Sequence, residues 1–187
     1  MDKEILSQKK KKVIAGPKKF AKLVTNLGEA ILKAHPGLKN VAFIGIQTGG
    51  TPLTQRLCKF FKDKLGVVPP TGFLDITLYR DDWTSISSQP HLKKTDISFP
   101  IDDKVIILVD DVIYTGRTTR AALDALIDLG RPKKIELAVL VDRGGRELPI
   151  EPNYVSLRVK KIEPDEYVSV YFQEISGKDQ ICLEKYC

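Results

Sequence analysis

The sequence predicts an α/β fold, a parallel sheet flanked by helices, within a single domain spanning residues 1–187. Three observations carry this expectation. Four short apolar runs alternate with stretches of helical periodicity. The runs are apolar along nearly their whole length, the habit of strands buried on both faces in parallel sheets. Gly and Pro fall at the boundaries between the two kinds of segment.

Residues 1–16 read as a basic N-terminal arm. Residues 17–34 read as a helix, because Pro17 suits a first turn and Phe20, Leu23, Val24, Leu27, Ile31 and Leu32 recur at helical spacing before His35-Pro36-Gly37. VAFIGI (41–46) reads as the first strand, followed by a helix over 52–65 that starts at Pro52 and stops at Gly66. FLDITLY (73–79) reads as the second strand. Residues 80–103 are polar and too long for a simple connection, so they read as a flexible lid loop. KVIILV (104–109) is the third strand, and 117–130 a helix closed by Gly130. IELAVLV (135–141) is the fourth strand. VSVYFQ (168–173) and QICLEK (180–185) resemble an antiparallel hairpin turning at Ser176-Gly177-Lys178, a flap over one end of the sheet.

The composition narrows the function. The net charge is +6, and residues 1–22, with eight lysines and two acids, hold all of it. Such an arm steers toward nucleic acid or anionic surfaces, or is simply a solvated terminus. No apolar stretch is long enough to span a bilayer and no secretory signal is visible, so no membrane role is expected. Three cysteines without CxxC spacing and two histidines argue against structural zinc and point to a reducing cytoplasm.

VIILVDDVIYTGRTT (105–119) carries the chemistry. Asp110 and Asp111 end a buried strand, where open parallel sheets bind ligands. Two acids there accept from vicinal hydroxyls and favour a hydrated divalent cation. Tyr114-Thr115-Gly116-Arg117-Thr118 opens the next helix, whose backbone N–H groups face an anion. A diol at one end and a phosphate at the other describe a ribose 5-phosphate. The Walker and Rossmann glycine patterns are both absent.

This string resembles the PRPP-binding signature of type I phosphoribosyltransferases. Together with GIQTGG (45–50), LDITLYRDD (74–82), TGRTTRAALDAL (115–126) and VDRGGRELPI (141–150), it is similar to the pyrimidine operon attenuator/uracil phosphoribosyltransferase family. The resemblance implies the type I phosphoribosyltransferase fold, with a flexible lid and a small hood, here placed with the C-terminal hairpin region in 144–187. It implies conversion of uracil and PRPP to UMP and pyrophosphate, with Mg²⁺ held by Asp110 and Asp111 mostly through water. On this likeness Asp110, Asp111 and Arg80 are catalytic, and Tyr114, Thr115, Gly116, Arg117 and Thr118 hold the 5-phosphate. Thr48, Gly49 and Gly50 match the pyrophosphate loop, and Asp142 and Arg143 lie near the uracil. Gly49 is a departure, since better-known members carry Arg there. A lost guanidinium weakens charge stabilisation on the leaving group.

The likeness also implies a regulator that binds pyrimidine leader RNA and controls attenuation. Residue-level support is limited to lysines such as Lys9, Lys10, Lys11, Lys12, Lys18 and Lys19, which bind phosphates without choosing sequence. A salvage enzyme without RNA binding and a PRPP- or nucleotide-sensing regulator with weak activity stay open as alternatives. A purine-specific transferase is a weaker rival. A homo-oligomer, dimer or larger, is expected by resemblance only.

Overall fold

Side-chain alternation along the central strands sorts the core into two layers. The computed structural model describes residues 11–81, 94–160 and 162–185. The described strands are β1 (Lys11–Ala15), β2 (Val41–Ile46), β3 (Thr71–Leu74), β4 (Val105–Ile113), β5 (Lys134–Asp142), β6 (Tyr154–Arg158), β7 (Glu166–Tyr171) and β8 (Gln180–Lys185). The longer helices are α1 (Pro17–Ala34), α2 (Gly50–Leu65) and α3 (Arg117–Leu129). Five strands run parallel in the order β3-β2-β4-β5-β6. Phe43, Ile107, Val109 and Leu140 pack with Phe20, Leu27, Leu53 and Phe61 of α1 and α2. Their neighbours Ile44, Ile106, Leu108 and Val139 pack instead with Ala121, Ala122, Ala125 and Leu126 of α3. Period-two alternation feeds both layers, which explains why the strands read as unbroken apolar runs. Among the described residues, no helix is long and apolar enough to cross a membrane.

The strand order reverses between β2 and β4, which lie side by side. Ligands of open parallel sheets bind outside the carboxyl ends at such a reversal. The loop after β2 and the acids of β4 flank that point.

A second sheet, antiparallel in the order β1-β8-β7, forms the hood. Its inner face brings Ile181, Val168 and Val170 onto the α1–α2 layer. Phe172 packs edge-on to Phe20 with ring centroids 5.4 Å apart, a contact contributing about 1 kcal/mol beyond burial.

Helix α1 and strand β2 match their expected spans. The strand expected over 73–79 is shorter: β3 ends at Leu74 and Thr77–Tyr79 is a 3₁₀ turn. Asp75 causes this, because its Oδ1 accepts from both the Thr77 N–H (3.0 Å) and the Thr77 hydroxyl (2.6 Å), closing a local turn. Strand β4 runs past 109 to Ile113, because Val112 and Ile113 still pair with Val141 and Asp142 of β5. Helix α2 starts at Gly50, ahead of Pro52, so the glycine loop itself is the helix N-terminus. In the tail, a helical turn, Gln173–Ser176, joins β7 to β8. Two strands were not foreseen. β6 extends the main sheet, and β1 takes Lys11 and Lys12 of the basic arm into the hood.

Of the expected lid, 82–93 lies outside the described residues, as do Lys9 and Lys10. Its returning end lies along the sheet edge, where Asp96 pairs with Phe73 and the Lys94 carbonyl accepts from Gln47 Nε2 at 2.9 Å.

Candidate active site at the carboxyl ends of β2 and β4

Strand pairing places Asp110 opposite Val139, deep at the sheet's carboxyl end. Asp110 is buried and Asp111 half-buried. The Asp111 N–H donates to Asp110 Oδ1 at 2.9 Å, and the Val112 N–H to Asp111 Oδ1 at 3.0 Å. Burial, and then the adjoining Asp111 charge, hold Asp110 well above the usual carboxylate range. Burial pushes Asp111 up as well. Two desolvated carboxylates side by side form a site that a cation relieves, and all their donor atoms are oxygen, as Mg²⁺ requires.

The glycine loop meets this pair directly. A Cβ at Gly49 would lie 2.5 Å from both carboxylate oxygens of Asp111, and one at Gly50 would strike the Val109 carbonyl. At Gly50 the obstacle is backbone, so the loop closes onto β4 only with glycine there; at Gly49 it is the Asp111 side chain, which a larger residue would have to displace. This gives the departure at Gly49 a physical reason: the Asp111 carboxylate occupies the space a side chain would need. Thr48, Gly49 and Asp111 line a cavity of about 350 Å³, roofed by Val170, Tyr171, Phe172, Ile175 and Ser176 of the hood.

Beyond the acids, Gly116 takes φ +92° and starts α3. Arg80, Asp81, Thr115, Arg117 and Thr118 line a cavity of about 170 Å³ beside this turn. Arg80 thus faces the threonine–glycine loop. Arg117 is exposed and engaged by acids, with Nε 2.6 Å from Glu147 Oε2 and Nη1 2.5 Å from Asp81 Oδ2. Those two pairs raise its already high pKa.

At the end of β5, Asp142 is buried and committed to the protein. It accepts from the Gly144 N–H at 2.9 Å and pairs with Arg146 at 2.9 Å and Arg158 at 3.6 Å. The guanidinium of Arg143 lies 3.6 Å above the centre of the exposed Tyr114 ring, and its Nη2 donates to the Glu166 carbonyl at 2.5 Å. Its Nε is buried without an acceptor among the described residues.

Residues 14–173 match the family model described as phosphoribosyl transferase domain. The chain belongs to the phosphoribosyltransferase family. This phosphoribosyltransferase is 49% identical over 160 residues to the bifunctional protein PyrR of Pelotomaculum thermopropionicum, covering 86% of this chain and 88% of the relative. It is 51% identical over 162 residues to the protein of the same name from Desulfosudis oleivorans, covering 86% and 89%. The family branch expected from LDITLYRDD and DRGGRELPI is borne out. Its fold is similar to that of a hypoxanthine-guanine phosphoribosyltransferase from Bacillus anthracis (TM-score 0.67, 18% identity, 95% and 99% of the two chains). It is also similar to the hypoxanthine phosphoribosyltransferase of Trypanosoma cruzi (TM-score 0.68, 19% identity, 93% and 96%). At such identities the likeness speaks for the fold.

The structure brings Thr48, Gly49 and Asp111 together, and Arg80 with Thr115, Arg117 and Thr118. Asp142 lines neither of these cavities and is occupied by Arg146. Lys11 is not a free arm lysine: its Nζ pairs with Glu184 at 2.9 Å and lies 3.8 Å from the Tyr171 ring centre. Lys12, Lys18 and Lys19 are exposed. Missed from sequence were Asp81, Glu147 and Arg146, although DRGGRELPI and LDITLYRDD contain all three.

Proposed function

We propose that this phosphoribosyltransferase joins uracil to the 5-phosphoribosyl group of PRPP, forming UMP and releasing pyrophosphate, and that it also regulates pyrimidine operons by binding leader RNA. The observation that carries the enzymatic reading is the meeting of a buried and a half-buried carboxylate, a glycine loop and a threonine–glycine helix start at neighbouring strand ends.

Asp110 and Asp111 receive the ribose hydroxyls, and their negative charge favours the cationic sugar that forms as the bond from C1 to pyrophosphate breaks. Thr115, Gly116, Arg117 and Thr118, with Tyr114 before them, hold the 5-phosphate at the start of α3 and fix the substrate's orientation. The pyrophosphate meets Thr48, Gly49 and Gly50 at the N-terminus of α2. Arg80 supplies a cation beside the phosphates. Uracil sits at the end of β5, near Arg143 and Tyr114, with Asp142 fixing that strand end. Asp110 and Asp111 are also the residues to hold Mg²⁺, largely through water, and the ion when bound offsets charge on the departing pyrophosphate. The lid excludes water, which otherwise hydrolyses PRPP.

The regulatory reading rests on the curated relatives' name and on exposed Lys12, Lys18 and Lys19. Commitment of Lys11 to Glu184 favours the second reading, a salvage enzyme without RNA binding. On the family likeness, the proposed setting is the cytoplasm and the proposed state a homo-oligomer. A turnover assay with uracil, PRPP and Mg²⁺ tests the enzyme. Guanine and hypoxanthine as acceptors test the base. Filter binding of pyrimidine leader RNA against scrambled RNA over a salt series tests the regulator, and equal binding rejects it.

A further inference from the structure

The threonine–glycine loop is held from behind by residues 146–148, 32–33 positions further along the chain. Arg146 Nη1 donates to the Tyr114 carbonyl at 2.9 Å. The backbone N–H groups of Glu147 and Leu148 donate to the Thr115 carbonyl at 3.0 and 3.1 Å. The same guanidinium gives Nη2 to Asp142 Oδ1 and Nε to the Ile150 carbonyl, both at 2.9 Å. Its side chain is 14% exposed; the bonds to Ile150 and Asp142 are partly buried and the one to Tyr114 lies toward solvent.

A planar trans peptide points its N–H opposite to its C=O. Fixing the Tyr114 and Thr115 carbonyls toward 146–148 therefore turns the N–H groups of Thr115 and Gly116 to the other side of the loop. These two residues, with Thr118 and Thr119, line a cavity of about 120 Å³. Consecutive N–H groups turned the same way form an anion-binding concavity. Among the described residues, the side chain that holds the Tyr114 carbonyl in this arrangement is that of Arg146.

We propose that Arg146 is a positioning residue that holds the 114–118 loop in its anion-receiving shape, with Asp142 as its anchor. This rests on the reading of that loop as the 5-phosphate site. Arg146 touches no substrate and acts through the Tyr114 carbonyl. The role needs a planar fork: one guanidinium meets the Tyr114 and Ile150 carbonyls, the Asp142 carboxylate and, at 3.4 Å, Glu151, whereas a lysine offers a single point charge.

The test compares binding of UMP with binding of uridine, which lacks the phosphate, by calorimetry on the full chain. The unaltered protein prefers UMP by about 30-fold or more. In Arg146→Gln that preference falls to about threefold, while uridine affinity stays within about threefold of its starting value. Arg146→Lys, the milder change should the glutamine variant not fold, gives a preference between the two. If the unaltered protein shows no preference, the 5-phosphate reading fails and the proposal with it. If it prefers UMP and Arg146→Gln does so equally, the phosphate site stands and the role of Arg146 is overturned. Full preference in Arg146→Lys overturns the fork, because charge alone would then suffice. Equal loss of UMP and uridine binding overturns positioning in favour of general damage to the fold.

Discussion

Replacing Gly49 by alanine sets two effects against each other. The backbone at Gly49 is already helical, with φ −69° and ψ −33°, so alanine fits it without strain. Propensity alone favours the change by up to about 1 kcal/mol. Packing opposes it: the new Cβ lies 2.5 Å from both carboxylate oxygens of Asp111. Asp111 cannot withdraw freely, because its Oδ1 accepts from the Val112 N–H at 3.0 Å. Overpacking of this kind costs about 1–3 kcal/mol, so it outweighs propensity. A net loss of about 1–2 kcal/mol corresponds to a fall in Tm of about 2–8 °C for a chain of this size. UMP formation drops at least about tenfold, because the displaced acid no longer meets the ribose. A double-mutant cycle isolates the contact: with Asp111→Ala already present, Gly49→Ala is neutral or stabilising. An equal Tm change in both backgrounds would refute the close approach of loop and acid.

Three further outcomes are expected. Asp110→Asn with Asp111→Asn reduces UMP formation below detection, and it raises Tm, because burial keeps both acids above their ordinary pKa and their charged forms destabilise the empty site at neutral pH; normal turnover in this variant rejects the assignment. Burial alone would raise the Glu136 pKa, but hydrogen bonds from Lys134, Tyr154 and His35 outweigh it and lower the group to about 2. Its stabilisation, on the order of 2–3 kcal/mol, is complete above the ordinary value of 4.5 and is lost as pH falls toward 2; urea midpoints measured across this window should lose that part of their slope in Glu136→Gln. Arg56 forms paired bonds of 2.6–3.0 Å to Glu174 and Asp179, tying α2 to the hood. Arg56→Ala should cost about 2 kcal/mol by thermal unfolding, and an unchanged Tm would show that the tie is not stabilising.

Local signals were legible and distant ones were not. Helix α1 declares itself through Pro17 and a regular apolar stripe, and β2 through six consecutive buried residues. The strand expected over 73–79 failed because apolar content outweighed Asp75, whose side chain closes a turn against Thr77. YVSLR (154–158) and KKVIA (11–15) lack the continuous apolar run of the other strands, and only their partners, β5 and β8, make them strands. The acids and the threonine–glycine loop lie within one short string, so their chemistry could be read. Contact between Gly49 and Asp111, or between Arg146 and Tyr114, spans far more of the chain and exists only once β2, β4 and β5 have aligned.

The order β1-β8-β7 has a consequence for biosynthesis. The middle strand of that small sheet is the last of the described strands to leave the ribosome, and both of its neighbours wait for it. The five strands of the parallel sheet are complete in sequence at Arg158, ahead of the last two strands of the roof. A chain interrupted before Gln180 therefore carries every strand of the floor but lacks the strand that joins β1 to β7 in the cover over the site.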